Sequence, residues 1–170
     1  MAKLNLTRKI INLGPLILLY YLSISEIDTH FENYFEILSF NIQLIIIYFW
    51  SLKKPEALGG GHVFFAGLIN DVVMGIPLGL SSLSYLVTSL VATYIKNMTV
   101  NTRITTDWFT FFVAIFFSNL TFFILLNKFS DVAINVTEMS YNTFFTLLFF
   151  PFFWFLFTYY NSIMVIKKHA

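Results

Sequence analysis

The feature that most constrains the fold is a series of apolar stretches long enough to cross a lipid bilayer. A helix needs about 20 apolar residues to span the hydrocarbon core, with a range of roughly 17–25. Four stretches are within one residue of this range, and a fifth is longer. The composition agrees, because 58% of the residues are hydrophobic and only 11% are charged, whereas soluble domains average about 25% charged residues. The chain is therefore predicted to be a polytopic membrane protein.

The fifth apolar stretch, residues 62–96, contains 35 residues and is too long for one span. Gly75, Pro77 and Gly79 lie near its middle. They favour a chain reversal, because proline lacks an amide donor and glycine tolerates turn conformations. The stretch therefore predicts a short helical hairpin that turns at or just inside the membrane surface. Irregular backbone at that depth needs shielding, so we expect the turn to pack against neighbouring helices or to lie at the interface.

The predicted fold is all-α, with six transmembrane helices in a single integral membrane domain over residues 1–170. The spans are expected at about residues 10–27, 34–52, 62–76, 80–96, 107–127 and 141–166. The third and fourth spans form the hairpin.

The orientation follows from the basic residues, which mark cytoplasmic loops. Six spans place nine of the ten Lys and Arg residues on one side and only Lys128 on the other. The nine are Lys3, Arg8, Lys9, Lys53, Lys54, Lys96, Arg103, Lys167 and Lys168. Both termini are therefore predicted to lie in the cytoplasm.

The composition also excludes several functional classes. The chain has no Cys, so thiolate catalysis, thiolate metal sites and disulfides are excluded. His30, His62 and His169 show no metal-ligand spacing. A net charge of only +1 gives no electrostatic footprint for nucleic acid. Since no catalytic arrangement emerges either, we expect no enzyme and no cofactor.

Asp71 lies inside the hairpin stretch, with Gly67 and Gly75 four residues to either side. Residues at this spacing share one helix face, and glycines there let a second helix approach closely. The carboxylate is therefore expected in a helix–helix contact, because a charge at the centre of a membrane helix costs about 2.5–3.5 kcal/mol. It could pin the hairpin by accepting hydrogen bonds from hydroxyls or from backbone amides near the turn. A proton relay or ligand anchor, and a contact with a partner, are the alternatives.

Two further patterns concern the other helices. Glu36, Ser39 and Gln43 share a face of the second span. They are interpreted as a polar seam that holds the bundle together or as one wall of a small polar cavity open to the outside. Pro151 lies within the last span and predicts a kink there.

The residues GLINDVVMGIPLGL, at positions 67–80, resemble the central signature of the MreD family, the rod shape-determining membrane proteins of bacteria. The family pattern is approximately GLxxDxxxGxPLGL, and this chain matches it at every fixed position. The size, the predicted span count, the cytoplasmic termini and the basic tail also resemble that family. The resemblance makes Gly67, Asp71, Gly75, Pro77 and Gly79 the family motif, with a structural or partner-binding role.

The resemblance also implies a function. It suggests a non-catalytic scaffold of the cell-wall elongation machinery in the bacterial inner membrane, which maintains rod shape. The implied partners are an MreC-like single-span protein, the MreB filament, and RodA with its transpeptidase partner. Membrane lipid is a further contact, nucleic acid is not expected, and homo-oligomer formation is left open.

An alternative function comes from the fold that the resemblance implies. The helical arrangement of MreD is similar to that of the substrate-binding subunits of energy-coupling-factor vitamin transporters. A vitamin-like small-molecule binder would need convergent polar groups near the outer surface, which Glu36, Gln43 and the 128–140 loop could supply in part. It would also need a cytoplasmic coupling surface, such as the face of Ser84, Thr88 and Ala92.

Overall fold

The computed structural model describes residues 2–25, 40–98, 103–129 and 136–169, and these residues form helices and turns without a strand. The helices are α1 (Ala2–Ile24), α2 (Ile42–Lys53), α3 (Pro55–Leu58), α4 (Gly60–Val73), α5 (Leu80–Met98), α6 (Ile104–Phe129) and α7 (Val136–His169).

Helix α2 lies at the centre of the described bundle. It packs against α1, α5, α6 and α7, and the remaining contacts close a ring in the order α1, α4, α5, α6, α7 and back to α1. Every residue from Leu44 to Leu52 is at most 3% exposed. A helix that is apolar on all sides is typically buried in a protein core or in a membrane. Helix α2, with the run Leu44–Ile47 followed by aromatic residues, is such a helix, and here other helices surround it.

Aromatic side chains join α2 to α6 and α7. The rings of Phe111 and Phe150 stack with centroids 4.3 Å apart, and Tyr48 tilts against Phe111 at 5.0 Å. Nearer the end of α2, Trp50 and Phe49 both contact Phe157. Offset and edge-to-face pairs at these distances add to the stability gained from burial.

The short helix α3 was not predicted. Lys54 adopts an extended conformation, with φ −152°, because the residue before a proline avoids helical geometry. Pro55 then starts α3, since its missing amide is not needed in the first turn. Gly59 ends α3 with φ +64°. Gly59 therefore separates α3 from α4, and the next two glycines, Gly60 and Gly61, belong to α4.

The helices and the predicted spans coincide only in part. Helices α1, α5, α6 and α7 extend beyond the apolar stretches, because a helix need not end where its apolar residues end. Helix α6 and residues Val136–Ser162 of α7 are long and apolar enough to cross a membrane, whereas α2 and α4 are shorter apolar helices. The all-α class is confirmed for the described residues. Six spans and the vitamin-transporter-like arrangement stay predictions, and residues 34–39 of the second span lie outside the described part.

Candidate functional site

The motif begins at a close contact between α4 and α5. Gly67 is buried against the backbone of Ser81 and Ser82. A Cβ atom at position 67 would lie 2.4 Å from the Cα and 2.6 Å from the nitrogen of Ser82. No side chain fits at that distance, so glycine is what allows the two helix backbones to meet.

The end of α4 is closed by a Schellman motif around Gly75. The amide of Ile76 donates to the carbonyl of Asp71 at 3.1 Å, and the amide of Gly75 donates to the carbonyl of Val72 at 3.3 Å. Gly75 has φ +63°, the left-handed conformation that this motif requires and that glycine adopts without strain. The carbonyls at the end of α4 are therefore satisfied within the hairpin.

The side chain of Asp71 links the two helices at their ends. Asp71 is fully buried. Its Oδ2 accepts the amide of Gly79 at 2.7 Å, and its Oδ1 accepts the amide of Ser81 at 2.8 Å. Both amides belong to the start of α5, where unpaired donors and the helix dipole favour a negative group. Asp71 thus caps α5 from α4, and of the two kinds of donor expected from the sequence it bonds to backbone amides rather than to hydroxyls.

Pro77 and Gly79 complete the turn between the two helices. Gly79 has φ +101°, and its carbonyl accepts the amide of Leu83 to begin α5. Pro77 fixes its own φ and has no amide that would need a partner. The structure therefore brings together all five motif residues predicted from the sequence, in one hairpin.

A buried polar network lies beside this hairpin. The Gln43 side-chain amide donates to the Leu22 carbonyl at 3.0 Å and to Asn70 Oδ1 at 3.1 Å. The Tyr85 hydroxyl donates to Gln43 Oε1, and Asn70 Nδ2 donates to Ser81 Oγ at 3.1 Å. The network joins α1, α2, α4 and α5, which fits the polar seam expected at Gln43. The other two residues of that predicted face, Glu36 and Ser39, lie outside the described residues.

A second polar cluster, which the sequence reasoning missed, joins α2, α6 and α7. Asp107 is 1% exposed, and its Oδ2 lies 3.0 Å from Lys53 Nζ. The same oxygen accepts the Trp154 indole N–H at 2.8 Å, and the Lys53 amine lies 5.6 Å from the centre of that ring. Asp107 and Lys53 marked only the ends of predicted spans, and no local spacing relates them to Trp154.

The carbonyl of Leu147 shows how α7 tolerates Pro151. A proline has no amide, so the carbonyl four residues earlier loses its helical donor. In this protein Trp108 Nε1 donates to the Leu147 carbonyl at 2.9 Å. Pro151 lies inside α7, which continues on both sides of it. The helical hydrogen bond that proline removes is thus replaced by a side chain of α6.

The polar side chains of these clusters bond to one another and to backbone groups, and thereby hold helices together. Among the described residues, no group of three or more His, Asp or Glu side chains is placed to hold a metal ion. An open groove of about 230 Å³ on α4 is lined only by apolar residues: Phe65, Leu68, Ile69, Val72 and Val73. A small polar ligand needs convergent polar groups, and those of the Gln43 network bond to one another.

The comparisons with known proteins agree with the motif. The family model described as rod shape-determining protein MreD matches residues 7–161, which include the whole hairpin. No curated protein and no solved structure matches the chain. The matched region covers most of the sequence and includes the motif residues from Gly67 to Gly79. The chain therefore belongs to the MreD family of rod shape-determining proteins.

Proposed function

We propose that this protein is a non-catalytic scaffold of the machinery that builds the lateral cell wall in a rod-shaped bacterium. The observation that carries the proposal is the family match over residues 7–161. We place the protein in the inner membrane as a multi-pass protein with both termini in the cytoplasm. The nine-to-one distribution of basic residues supports this orientation, and the length and apolarity of α6 and α7 support the membrane location.

The geometry of the hairpin supports a shape-holding role for the motif. Both oxygens of Asp71 accept main-chain amides, and Gly67 lies against the backbone of Ser82. A proton relay needs a chain of titratable groups, whereas the neighbours of Asp71 in this contact are amides. We therefore assign Gly67, Asp71, Gly75, Pro77 and Gly79 to the packing of a rigid α4–α5 unit, on which partner contacts depend.

The proposed partners are those of the rod-shape machinery: an MreC-like single-span protein, the MreB filament, and RodA with its transpeptidase partner. The outer faces of α6 and α7 support contacts with lipid or with membrane helices, since large apolar side chains are exposed there. Phe109 is 69% exposed and Phe155 is 63% exposed. Such faces suit apolar surroundings.

Affinity purification from native membranes under gentle solubilisation tests the proposal. Three variants of the tagged full-length chain are compared: wild type, Asp71→Asn, and Gly61→Ala as a control, because position 61 faces open space. We expect wild type and control to recover a single-span protein with an extracytoplasmic domain together with peptidoglycan synthases. Asp71→Asn should recover several-fold less of them at equal abundance.

Two results would contradict the proposal. Recovery of paired ATPases with a membrane coupling subunit would identify a transporter subunit instead. Normal rod shape in cells that lack the protein, under conditions where wild-type cells express it, would remove the role in shape.

A further inference from the structure

The turn between α4 and α5 is apolar, although turns between helices usually carry polar residues. Its sequence, residues 74–79, is Met-Gly-Ile-Pro-Leu-Gly and contains no charged side chain and no side-chain hydrogen-bond donor. Two of its apolar side chains point outward, Met74 at 58% exposed and Leu78 at 69% exposed. Turns that face water favour Asn, Asp and Ser beside Gly and Pro. This turn has the glycines and the proline but none of the polar residues.

Four main-chain amides of the turn are satisfied from within the hairpin. Met74, Gly75 and Ile76 donate their amides to carbonyls of α4, and Gly79 donates to Asp71 Oδ2. Pro77 has no amide to donate. In hydrocarbon no water replaces a missing partner, so irregular backbone is costly there unless its polar groups are bonded internally. The amides of Met74, Gly75, Ile76 and Gly79 meet that requirement.

Helix α4 is too short to cross the whole hydrocarbon core of a bilayer. Helix α4 has 14 residues, which corresponds to about 21 Å at about 1.5 Å per residue. The hydrocarbon core is about 30 Å thick. Helix α4 starts at Gly60, a few residues after the basic pair Lys53 and Lys54 that marks the cytoplasmic side. A helix that starts near that side therefore ends several ångströms before the opposite headgroups.

We propose that the α4–α5 turn lies within the hydrocarbon of the leaflet opposite the cytoplasm, with Met74 and Leu78 against lipid acyl chains. In this arrangement Asp71 supplies the acceptors that allow the backbone to reverse inside lipid. The proposal rests on the multi-pass membrane placement proposed above. It agrees with the expectation from the sequence that the hairpin turns just inside the membrane surface, and it places lipid around the turn where neighbouring helices or the interface were expected.

Site-directed spin labelling of the full-length chain in lipid vesicles tests the depth of the turn. The chain has no Cys, so a single Leu78→Cys variant carries one label without further changes. Collision with oxygen, which concentrates in acyl chains, is compared with collision with a water-soluble nickel chelate. Phe116→Cys on the exposed face of α6 serves as the lipid control, and Asn97→Cys beside Lys96 serves as the water control.

We expect the Leu78→Cys label to behave like the Phe116→Cys label, with nickel accessibility several-fold below that of Asn97→Cys. Nickel accessibility equal to that of Asn97→Cys would overturn the proposal, because the turn would then lie in water. A label shielded from both reagents would also overturn it, since protein, from the same chain or from a second copy, would then cover the turn. Met74→Cys repeats the measurement if Leu78→Cys does not fold.

The lipid control separates this inference from the proposal on which it rests. Nickel access to Phe116→Cys as high as to Asn97→Cys would refute the membrane placement itself. Low access at Phe116→Cys with high access at Leu78→Cys would refute only the buried turn.

Discussion

The free-energy cost of placing the Asp71 carboxylate inside an apolar hairpin is offset by the two amide hydrogen bonds that it accepts. Insertion of a charged Asp at the centre of a membrane helix costs about 2.5–3.5 kcal/mol. Hydrogen bonds to a charged group contribute about 1.5–3 kcal/mol each, and the start of a helix favours a nearby anion by up to about 2 kcal/mol. The favourable contributions are at least as large as the cost. The carboxylate therefore stabilises the hairpin.

Replacement of Asp71 should lower the stability of the protein, and by more when fewer acceptor oxygens remain at position 71. Asp71→Leu orphans two buried amides, at about 1–3 kcal/mol each, whereas Asp71→Asn keeps one acceptor oxygen. We expect the midpoint of thermal unfolding in detergent to fall in the order wild type, Asp71→Asn, Asp71→Leu. Equal midpoints for all three proteins would show that the carboxylate acts outside the fold, as a contact for partners.

Gly67→Ala should destabilise the protein through steric conflict alone. The new methyl group would lie 2.4 Å from the Ser82 Cα, and overpacking of this kind costs about 1–3 kcal/mol. Gly61→Ala is the matched control, because it also lies in α4 but has nothing within 4 Å. A lower unfolding midpoint is expected for the first variant only. A loss of similar size in both would mean that helix α4 responds to any added methyl group.

At the scale of the elements, α6 and α7 are joined around a proline. Asp107 and Trp108 are consecutive in α6, and each bonds to α7: Asp107 accepts from the Trp154 indole, and Trp108 donates to the Leu147 carbonyl. Because Pro151 lies between these two contacts, the helix is supported on both sides of its missing hydrogen bond. The predicted kink at Pro151 stays a prediction, while the replacement of the lost hydrogen bond is observed.

The Trp108–Leu147 bond should matter only while Pro151 is present. Trp108→Phe leaves the Leu147 carbonyl without a donor and should lower stability by about 0.5–1.5 kcal/mol. In a Pro151→Ala background the helix supplies its own amide, so the same change should cost less. Unfolding midpoints of the four proteins in this double-mutant cycle measure the coupling. An identical loss in both backgrounds would show that the indole stabilises the protein by packing alone.

The sequence predicted the hairpin well, because its signals are local. Gly75, Pro77 and Gly79 mark a reversal by their backbone preferences, and the spacing of Gly67 and Asp71 places them on one helix face. The helix bounds of the turn follow within a few residues. Backbone amides were one of the two kinds of partner predicted for Asp71, since a helix that starts beside a carboxylate presents unpaired donors.

Contacts between distant segments could not be predicted in the same way. Lys53, Asp107 and Trp154 are separated by about 50 residues from one to the next, and only the packing of α2, α6 and α7 brings them together. The indole of Trp108 has no sequence signal that relates it to Leu147. An acidic residue at the end of a span, such as Asp107, suggests an ion pair with a basic residue at the end of another span. The charge pattern alone does not show which basic residue that is.

For the whole molecule, the predicted topology gives a direct test. Nine of ten basic residues lie on the cytoplasmic side if six spans are present, and this bias sets orientation. Alkaline phosphatase fused after Ala170 should therefore be inactive, while the same enzyme fused after Phe129 should be active. Activity of the fusion after Ala170 would contradict a cytoplasmic C-terminus. Activity after Phe129 as well would indicate an odd number of spans, and inactivity after Phe129 would indicate the inverted orientation.

The central position of α2 also could not be predicted from the sequence. Its residues Leu44–Ile47 are as apolar as the exposed faces of α6 and α7, and an apolar side chain suits the interior and the lipid equally well. Composition therefore indicates membrane helices without showing which of them is central. The contacts of Gln43 with α1, α4 and α5, of Tyr48 with α6 and of Trp50 with α7 supply that information.

The central position of α2 has a consequence for biogenesis. The ribosome makes this helix early, whereas α5, α6 and α7, which cover most of its surface, emerge later. Until then the described helices that α2 can contact are α1, the short α3 and, through Gln43 and Asn70, α4. In the membrane placement proposed above, lipid would cover the faces that α5, α6 and α7 cover later. Phe49 and Trp50 pack against Phe157 and Tyr160 of α7, so the core is complete only after the last helix has left the ribosome. We therefore expect a chain truncated before α7 to expose these aromatic residues and to be degraded faster than the full chain.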